Sequence, residues 1–222
     1  MQNRRIVAAG LLGVLYPASE ASADVQPRFR RYRQVSRSML PTIEPRALVR
    51  GGLGPIVLDP EGPPASSPPT STPIRVVRAD LVLFRPPGWE NQTWIFRVIG
   101  FPGESIEIRD RVVFINGASV RTDDLGPAPN DPSYYVDAPA AGYRAGADTA
   151  RFVRETLPNG STYRTLQLHT NFDARLTNMA SQTVPEGRLF LLGDNRDNAN
   201  DSRLPYLGML PADAVLGKVL LG

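Results

Sequence analysis

From Leu81 onward the chain is cut into short apolar runs by turn residues, and this punctuation limits the fold more than any other feature. Leu81-Val82-Leu83-Phe84, Thr93–Ile99, Ser105–Ile108, Val112–Ile115, Tyr163–His169, Arg188–Leu192 and Ala214–Leu221 each carry strand-type composition or period-two alternation. Each falls short of the roughly 10–12 residues that a globular helix usually needs. Val112–Ile115 runs into Asn116-Gly117, the strongest short signal for a two-residue hairpin turn. Long helical periodicity is absent outside an N-terminal apolar run. Short strands with turns at close intervals predict a mainly antiparallel β fold.

Three stretches interrupt this pattern. Gly51–Pro73 is rich in Gly, Pro and Ser, with Pro63-Pro64 and Pro68-Pro69, and reads as a loop that cannot pair as a central strand. Residues 117–186 hold Pro127, Pro129, Pro132 and Pro139 and then Ala- and Gly-rich sequence, which predicts an insertion or small second domain. The core is then divided into 24–116 and 187–222. Residues 1–23 have a basic start at Arg4 and Arg5, an apolar run Ile6–Ala18 and an Ala21-Ser22-Ala23 cleavage pattern. That run falls short of the roughly 20 residues of a membrane-spanning helix. A cleaved export signal fits best, ahead of a short uncleaved anchor or a buried helix. Arg28, Arg30, Arg31, Arg33 and Arg37 come next, interleaved with Phe29 and Tyr32. They fit either a solvated basic stretch or a segment drawn to anionic lipid headgroups.

Composition removes several function classes. The 222 residues contain no Cys, which excludes disulfides, thiol catalysis and Cys-based metal sites. A single histidine, His169, leaves most zinc sites without ligands, so no metal or cofactor is expected. A net charge of +3 gives no argument for nucleic acid. Lys218 is the only lysine; every other basic side chain apart from His169 is an arginine.

Three segments carry chemistry. They are Ser36-Arg37-Ser38-Met39-Leu40-Pro41-Thr42, then Arg97-Val98-Ile99-Gly100-Phe101-Pro102-Gly103-Glu104, and finally Gly193-Asp194-Asn195-Arg196-Asp197-Asn198-Ala199-Asn200-Asp201-Ser202-Arg203. Read alone, the last is a polar loop whose Asp194, Arg196, Asp197, Asp201 and Arg203 can pair locally. A calcium loop fails at Ala199, where an oxygen ligand is needed. In this order the three segments resemble bacterial signal peptidase I, whose motifs run S-x-S-M-x-P-T, K-R-V-x-G-x-P-G-[DE] and G-D-N-R-D-N-S-x-D-S-R. Ala79–Phe84, Val112–Gly117 and Gly208–Lys218 resemble the flanking strands of that family.

The resemblance implies two antiparallel β-sheets of the signal peptidase I type, with the middle segment inserted. It implies a serine endopeptidase at the outer face of the cytoplasmic membrane, or an exported soluble one if residues 1–23 are removed. Its partners would be signal peptides of exported preproteins and, through residues 28–37, the membrane surface. Ser38 matches the nucleophile and Ser36 the serine that supports the oxyanion hole. Arg97 and Asp194 match a structural ion pair, and Asp201 and Arg203 another. Two matches fail: Phe96 occupies the position of the general-base lysine, and Ala199 that of the serine that orients it. Phenylalanine has no lone pair for a proton, so the Ser/Lys dyad is incomplete. His169 and Lys218 lie away from the lysine position, and Arg97 stays protonated at any usable pH. A non-catalytic homologue that binds signal-peptide-like segments, or assists an active paralogue, is the alternative.

Overall fold

A computed structural model describes residues 27–64, 69, 73–89, 91–129, 150–168 and 174–220. The expected export or anchor segment at residues 1–23 and the expected strand histidine His169 lie outside the described residues. No helix among the described residues is long and apolar enough to cross a membrane.

The chain is mainly β, as the spacing of its apolar runs predicts. Strands β1 (Arg28–Arg33), β2 (Leu48–Leu53), β5 (Leu81–Phe84), β6 (Trp94–Gly100), β14 (Arg188–Leu192), β15 (Leu210–Pro211) and β16 (Val215–Leu220) form one seven-stranded sheet. Its order is β1-β2-β16-β5-β6-β14-β15, and the pairings are antiparallel. A second antiparallel sheet joins β7 (Ser105–Arg109), β8 (Val112–Ile115), β9 (Ala118–Ser119) and β13 (Met179–Thr183) in the order β13-β7-β8-β9. A third holds β10 (Arg121–Pro127), β11 (Arg151–Thr156) and β12 (Thr162–Gln167). The short β3 (Ile56–Asp59) and β4 (Ile74–Val77) pair in parallel. The described helix α1 is only Ala174–Thr177.

Strand β6 is buried from Ile95 to Gly100, because both of its faces are covered. Phe96 and Val98 join one apolar cluster with Met39, Leu81 to Phe84, Leu189 and Leu191. Ile99 joins the other, with Ile106, Ile108, Val113, Ile115, Phe190 and Leu192. The hairpin turn falls where the sequence puts it. Asn116 and Gly117 both adopt positive φ, 52° and 79°, the conformation that a tight turn matching the strand twist demands.

One expectation needs correction. Gly51–Leu53 are not loop; they complete β2, an interior strand that pairs with β1 on one side and β16 on the other. The physical reason is close approach. A Cβ on Gly51 would sit 2.2 Å from Leu83 Cδ1 and 3.1 Å from the Tyr32 ring, so glycine leaves room for those side chains to cover the strand as they lie. Ile56–Asp59 are likewise paired, so extended structure enters the Gly51–Pro73 stretch twice. The basic residues Arg28–Arg33 form the edge strand β1, where charged side chains discourage pairing with another chain.

The middle segment is tied into the core at several points. β9 continues the β8 hairpin, and β13 returns to pair with β7. Leu166 N–H donates to the Asp194 carbonyl at 2.8 Å, and Arg196 N–H to the Leu166 carbonyl at 2.9 Å. Strand β12 is thereby laid against the Gly193–Arg203 loop.

Candidate active site

The Ser36–Thr42 turn follows edge strand β1. Met39 and Leu40 are fully buried and anchor it. Thr42 N–H and Ile43 N–H both donate to the Met39 carbonyl, at 2.8 and 3.0 Å. The Gly193–Arg203 loop holds the turn from the other side. Asn195 N–H donates to the Ser38 carbonyl at 3.0 Å, and Asn195 Nδ2 to the Arg37 carbonyl at 3.2 Å. Ser38 Oγ lies 2.9 Å from Ser36 Oγ, and the Ser38 N–H also points to Ser36 Oγ at 3.4 Å.

Phe96 and Arg97 are neighbours on β6, so their side chains leave opposite faces of the strand. Phe96 is buried, with its ring 5.8 Å from Phe84 and 6.1 Å from Trp94. The close packing centres on Gly193. A Cβ there would lie 2.4 Å from Ala199 Cβ, 2.8 Å from the Ser38 carbonyl oxygen and 3.3 Å from Phe96 Cε1. Ser38, Phe96 and Ala199, read from three separate segments, therefore converge on one glycine.

The other face of β6 carries matched charge. Arg97 Nε donates to Asp194 Oδ1 at 2.8 Å and Nη2 to Oδ2 at 2.6 Å, and Nη1 donates to the Ala79 carbonyl at 2.7 Å. Thr42 Oγ1 donates to the same Asp194 carboxylate. Burial works against the charge on Arg97, but Asp194 outweighs it and holds the guanidinium above its ordinary value. Arg203 grips Asp201 through two hydrogen bonds of 2.8 and 2.7 Å, both side chains being buried, and Asp201 Oδ2 accepts the Gly193 N–H at 3.0 Å. The Asp201–Arg203 pair thus fixes the glycine on which Ser38 and Phe96 meet.

Sequence reasoning missed the residues that complete this network. The Arg97 guanidinium stacks over the Tyr163 ring at 4.0 Å. Tyr163 Oη donates to Glu155 Oε2 at 2.7 Å, and Arg196 Nη2 donates to the same oxygen at 2.6 Å. Burial, with Glu155 adding to it, pushes the Tyr163 phenol well above its usual range. Arg196 also stays above its ordinary value: burial opposes its charge, but Glu155 and its other neighbours prevail. Glu155 and Tyr163 come from β11 and β12, and nothing in strand periodicity signals a buried charge partner for a loop arginine.

Beside Ser38 opens a cleft of about 750 Å³, lined by Ser36, Ser38, Phe96, Ala199, Trp94 and Ile95 among others. Its described titratable lining groups are Tyr32, Arg33 and Asp197. Asp197 is engaged at both oxygens, by Arg111 and by the Leu168 N–H at 2.7 Å. Arg33 donates to the Arg46 carbonyl at 3.1 Å and cannot take a proton. Lys218 does not line the cleft. It sits on β16, buried and ion-paired with Asp80 at 2.5 Å. Burial raises the Asp80 carboxyl despite that pairing.

Comparison with known proteins places the chain in a family. The family model described as signal peptidase, peptidase S26 matches residues 28–221. The chain belongs to that family. It is 37% identical over 147 residues to signal peptidase I of Rickettsia typhi, covering 64% of this chain and 49% of that one. It is 37% identical over 145 residues to signal peptidase I of Rickettsia felis, with the same coverage of 64% and 49%. The chain spans about half the length of these curated relatives. A crystal structure of a signal peptidase I from Enterococcus faecalis aligns with 70% of this chain and 100% of that one, at 26% identity and a TM-score of 0.35.

Proposed function

We propose that this chain acts on signal peptides of exported preproteins in the manner of a signal peptidase I-type serine endopeptidase, with slow turnover because its Ser/Lys dyad is incomplete. In this reading Ser38 is the nucleophile, and Ser36 with the Ser38 N–H serves the oxyanion. Phe96 stands where the base would be, and Ala199 where its orienting serine would be. The Arg97–Asp194 and Asp201–Arg203 pairs hold the frame. Residues 24–116 and 187–222 carry the site, and the described strands within 117–186 buttress it. The observation that carries the reading is the convergence of Ser38, Phe96 and Ala199 on Gly193 at the wall of an open cleft. Relatives of this chain are signal peptidases, and an extended substrate suits a cleft bordered by strands.

The serine pair favours retained chemistry, whereas the buried Phe96 favours a second reading, a non-catalytic homologue that captures signal-peptide-like segments. General-base assistance is typically worth about 10²–10⁴-fold, so its loss leaves room for either. The edge strand β1, with Arg28, Arg30, Arg31 and a half-exposed Phe29, supports docking at an anionic membrane surface. Each basic residue near such a surface contributes roughly 1 kcal/mol. In this reading the chain works at the outer face of the cytoplasmic membrane.

The test is an Ala-x-Ala signal-peptide substrate with the full chain in lipid, beside Ser38→Ala. Slow cleavage that vanishes in Ser38→Ala supports the endopeptidase. Binding without cleavage selects the non-catalytic reading, and neither binding nor cleavage contradicts both.

A further inference from the structure

Gln34 has none of the roles assigned above, yet it is buried, lines the cleft and hydrogen-bonds to Ser36 beside Ser38. Its Nε2 lies 3.1 Å from the Ser36 carbonyl oxygen and 3.1 Å from Ser36 Oγ. A carbonyl oxygen only accepts, so the end of the amide at this contact is the NH₂ group, which donates both bonds. Ser36 Oγ is therefore an acceptor toward Gln34. It also accepts the Ser38 N–H at 3.4 Å. A hydroxyl oxygen offers two acceptor sites and one hydrogen. With both acceptor sites taken, the Ser36 hydrogen is what remains for the 2.9 Å contact with Ser38 Oγ.

We propose that Gln34 is a positioning residue that fixes the Ser36 hydroxyl as a hydrogen-bond donor to Ser38 Oγ. The consequence for chemistry rests on Ser38 being the nucleophile, as proposed above. A donor aimed at Ser38 Oγ stabilises negative charge on that oxygen in the free protein, and in the proposed reaction the same Ser36 hydrogen and the Ser38 N–H turn to the substrate oxyanion. Gln34 suits the task because its backbone is fixed on both sides. Its N–H donates to the Ala47 carbonyl at 2.9 Å, and its carbonyl accepts the Arg46 N–H at 2.7 Å. The polarity thus passes from a backbone carbonyl, through one amide, to the serine pair.

Neutron diffraction on deuterium-exchanged crystals of the full chain reads this polarity directly. The expected map shows deuterium on Ser36 Oγ, directed at Ser38 Oγ. Deuterium on Ser38 Oγ directed at Ser36 overturns the proposal. The kinetic arm uses a fluorophosphonate probe. Ser38 Oγ forms a bond to phosphorus, the P–F bond breaks, fluoride leaves and the hydroxyl proton passes to water. Gln34→Glu is compared with the wild type at each pH, with Ser38→Ala as the control for labelling at this residue. At low pH the protonated carboxyl of the Gln34→Glu variant keeps one O–H to donate in place of the amide's two N–H bonds, and the two rates lie closest there. Above its titration the carboxylate accepts the Ser36 hydrogen, and the variant falls behind by about 10²-fold, the lower end of what one oxyanion donor contributes. A rate ratio that is flat with pH overturns the proposal, because a merely structural role lowers both ends alike. Wild-type protein that shows no Ser38-dependent labelling contradicts the nucleophile reading instead, and the neutron map then decides the polarity alone.

Discussion

The two faces of strand β6 treat charge in opposite ways on consecutive residues. Arg97 keeps its charge inside the protein by filling its donor directions: Asp194 twice, the Ala79 carbonyl once and the Tyr163 ring against its plane. Phe96, on the cleft face, has no charge and packs among Phe84, Trp94 and the Gly193 neighbourhood. The structural face keeps its ion pairs, because removing one partner of a buried pair leaves the other stranded. In the proposed reading, the face beside the serine has neither the base nor its orienting hydroxyl. The ion-paired face is held for stability, and the cleft face is held by apolar packing, which in the proposed reading stands where a proton-transfer group would be.

The sharpest way to break this contrast is at its charged side. Asp194→Ala strands Arg97 in the interior and also removes the acceptor of Thr42. Denaturant unfolding is expected to show a loss of roughly 3–5 kcal/mol. A loss below about 1 kcal/mol, the worth of an ordinary exposed pair, would mean that the Arg97 network is not what holds this face. The apolar side is probed by Gly193→Ala, whose new methyl meets Ala199 Cβ at 2.4 Å and the Ser38 carbonyl at 2.8 Å. Overpacking of this kind costs about 1–3 kcal/mol. A crystal structure of the variant should show the Ser38 turn displaced from the Gly193–Arg203 loop, and an unmoved turn would disprove the convergence.

The smallest effect falls on Tyr163. Its folded phenol is held well above the ordinary value, while the unfolded phenol ionises near pH 10. The stability gained by keeping it neutral is fully present below about pH 10 and is lost as pH rises beyond that toward the folded value. Tyr163→Phe removes this part of the alkaline slope, at a cost of about 1 kcal/mol near neutrality for the lost hydrogen bond to Glu155. Equal alkaline slopes in the variant and the wild type would show that Tyr163 is not buried beside Glu155.

Much of this contrast was legible in the sequence where local chemistry decides structure. Leu81–Phe84, Val112–Ile115 and Arg188–Leu192 are strands with the boundaries their composition indicates. The Asn116-Gly117 turn follows from the two residues that accept its backbone. Strands β1 and β2 were illegible for different reasons. β1 is an arginine-rich edge with little to bury, and β2 hides its interior position behind Gly51, whose role is to be covered by Leu83 and Tyr32. At the site, the serine turn and the aspartate–arginine loop were readable as motifs. Glu155, Tyr163 and Gln34 were not, because their partners are distant in sequence or depend on which atom of an amide faces a carbonyl. Pairing across long separations is a property of tertiary packing and leaves no periodic mark.

The proposed loss of the dyad is tested most directly by one comparison: cleavage of an Ala-x-Ala signal-peptide substrate by the wild type and by the double variant Phe96→Lys with Ala199→Ser. The double variant restores a proton acceptor on the cleft face of β6 and a hydroxyl to orient it. Its turnover is expected to exceed that of the wild type by about 10²–10⁴-fold, and to disappear when Ser38→Ala is added. A wild type that cleaves as fast as a folded double variant, with the same dependence on Ser38, would contradict the claim that Phe96 leaves this serine without its base.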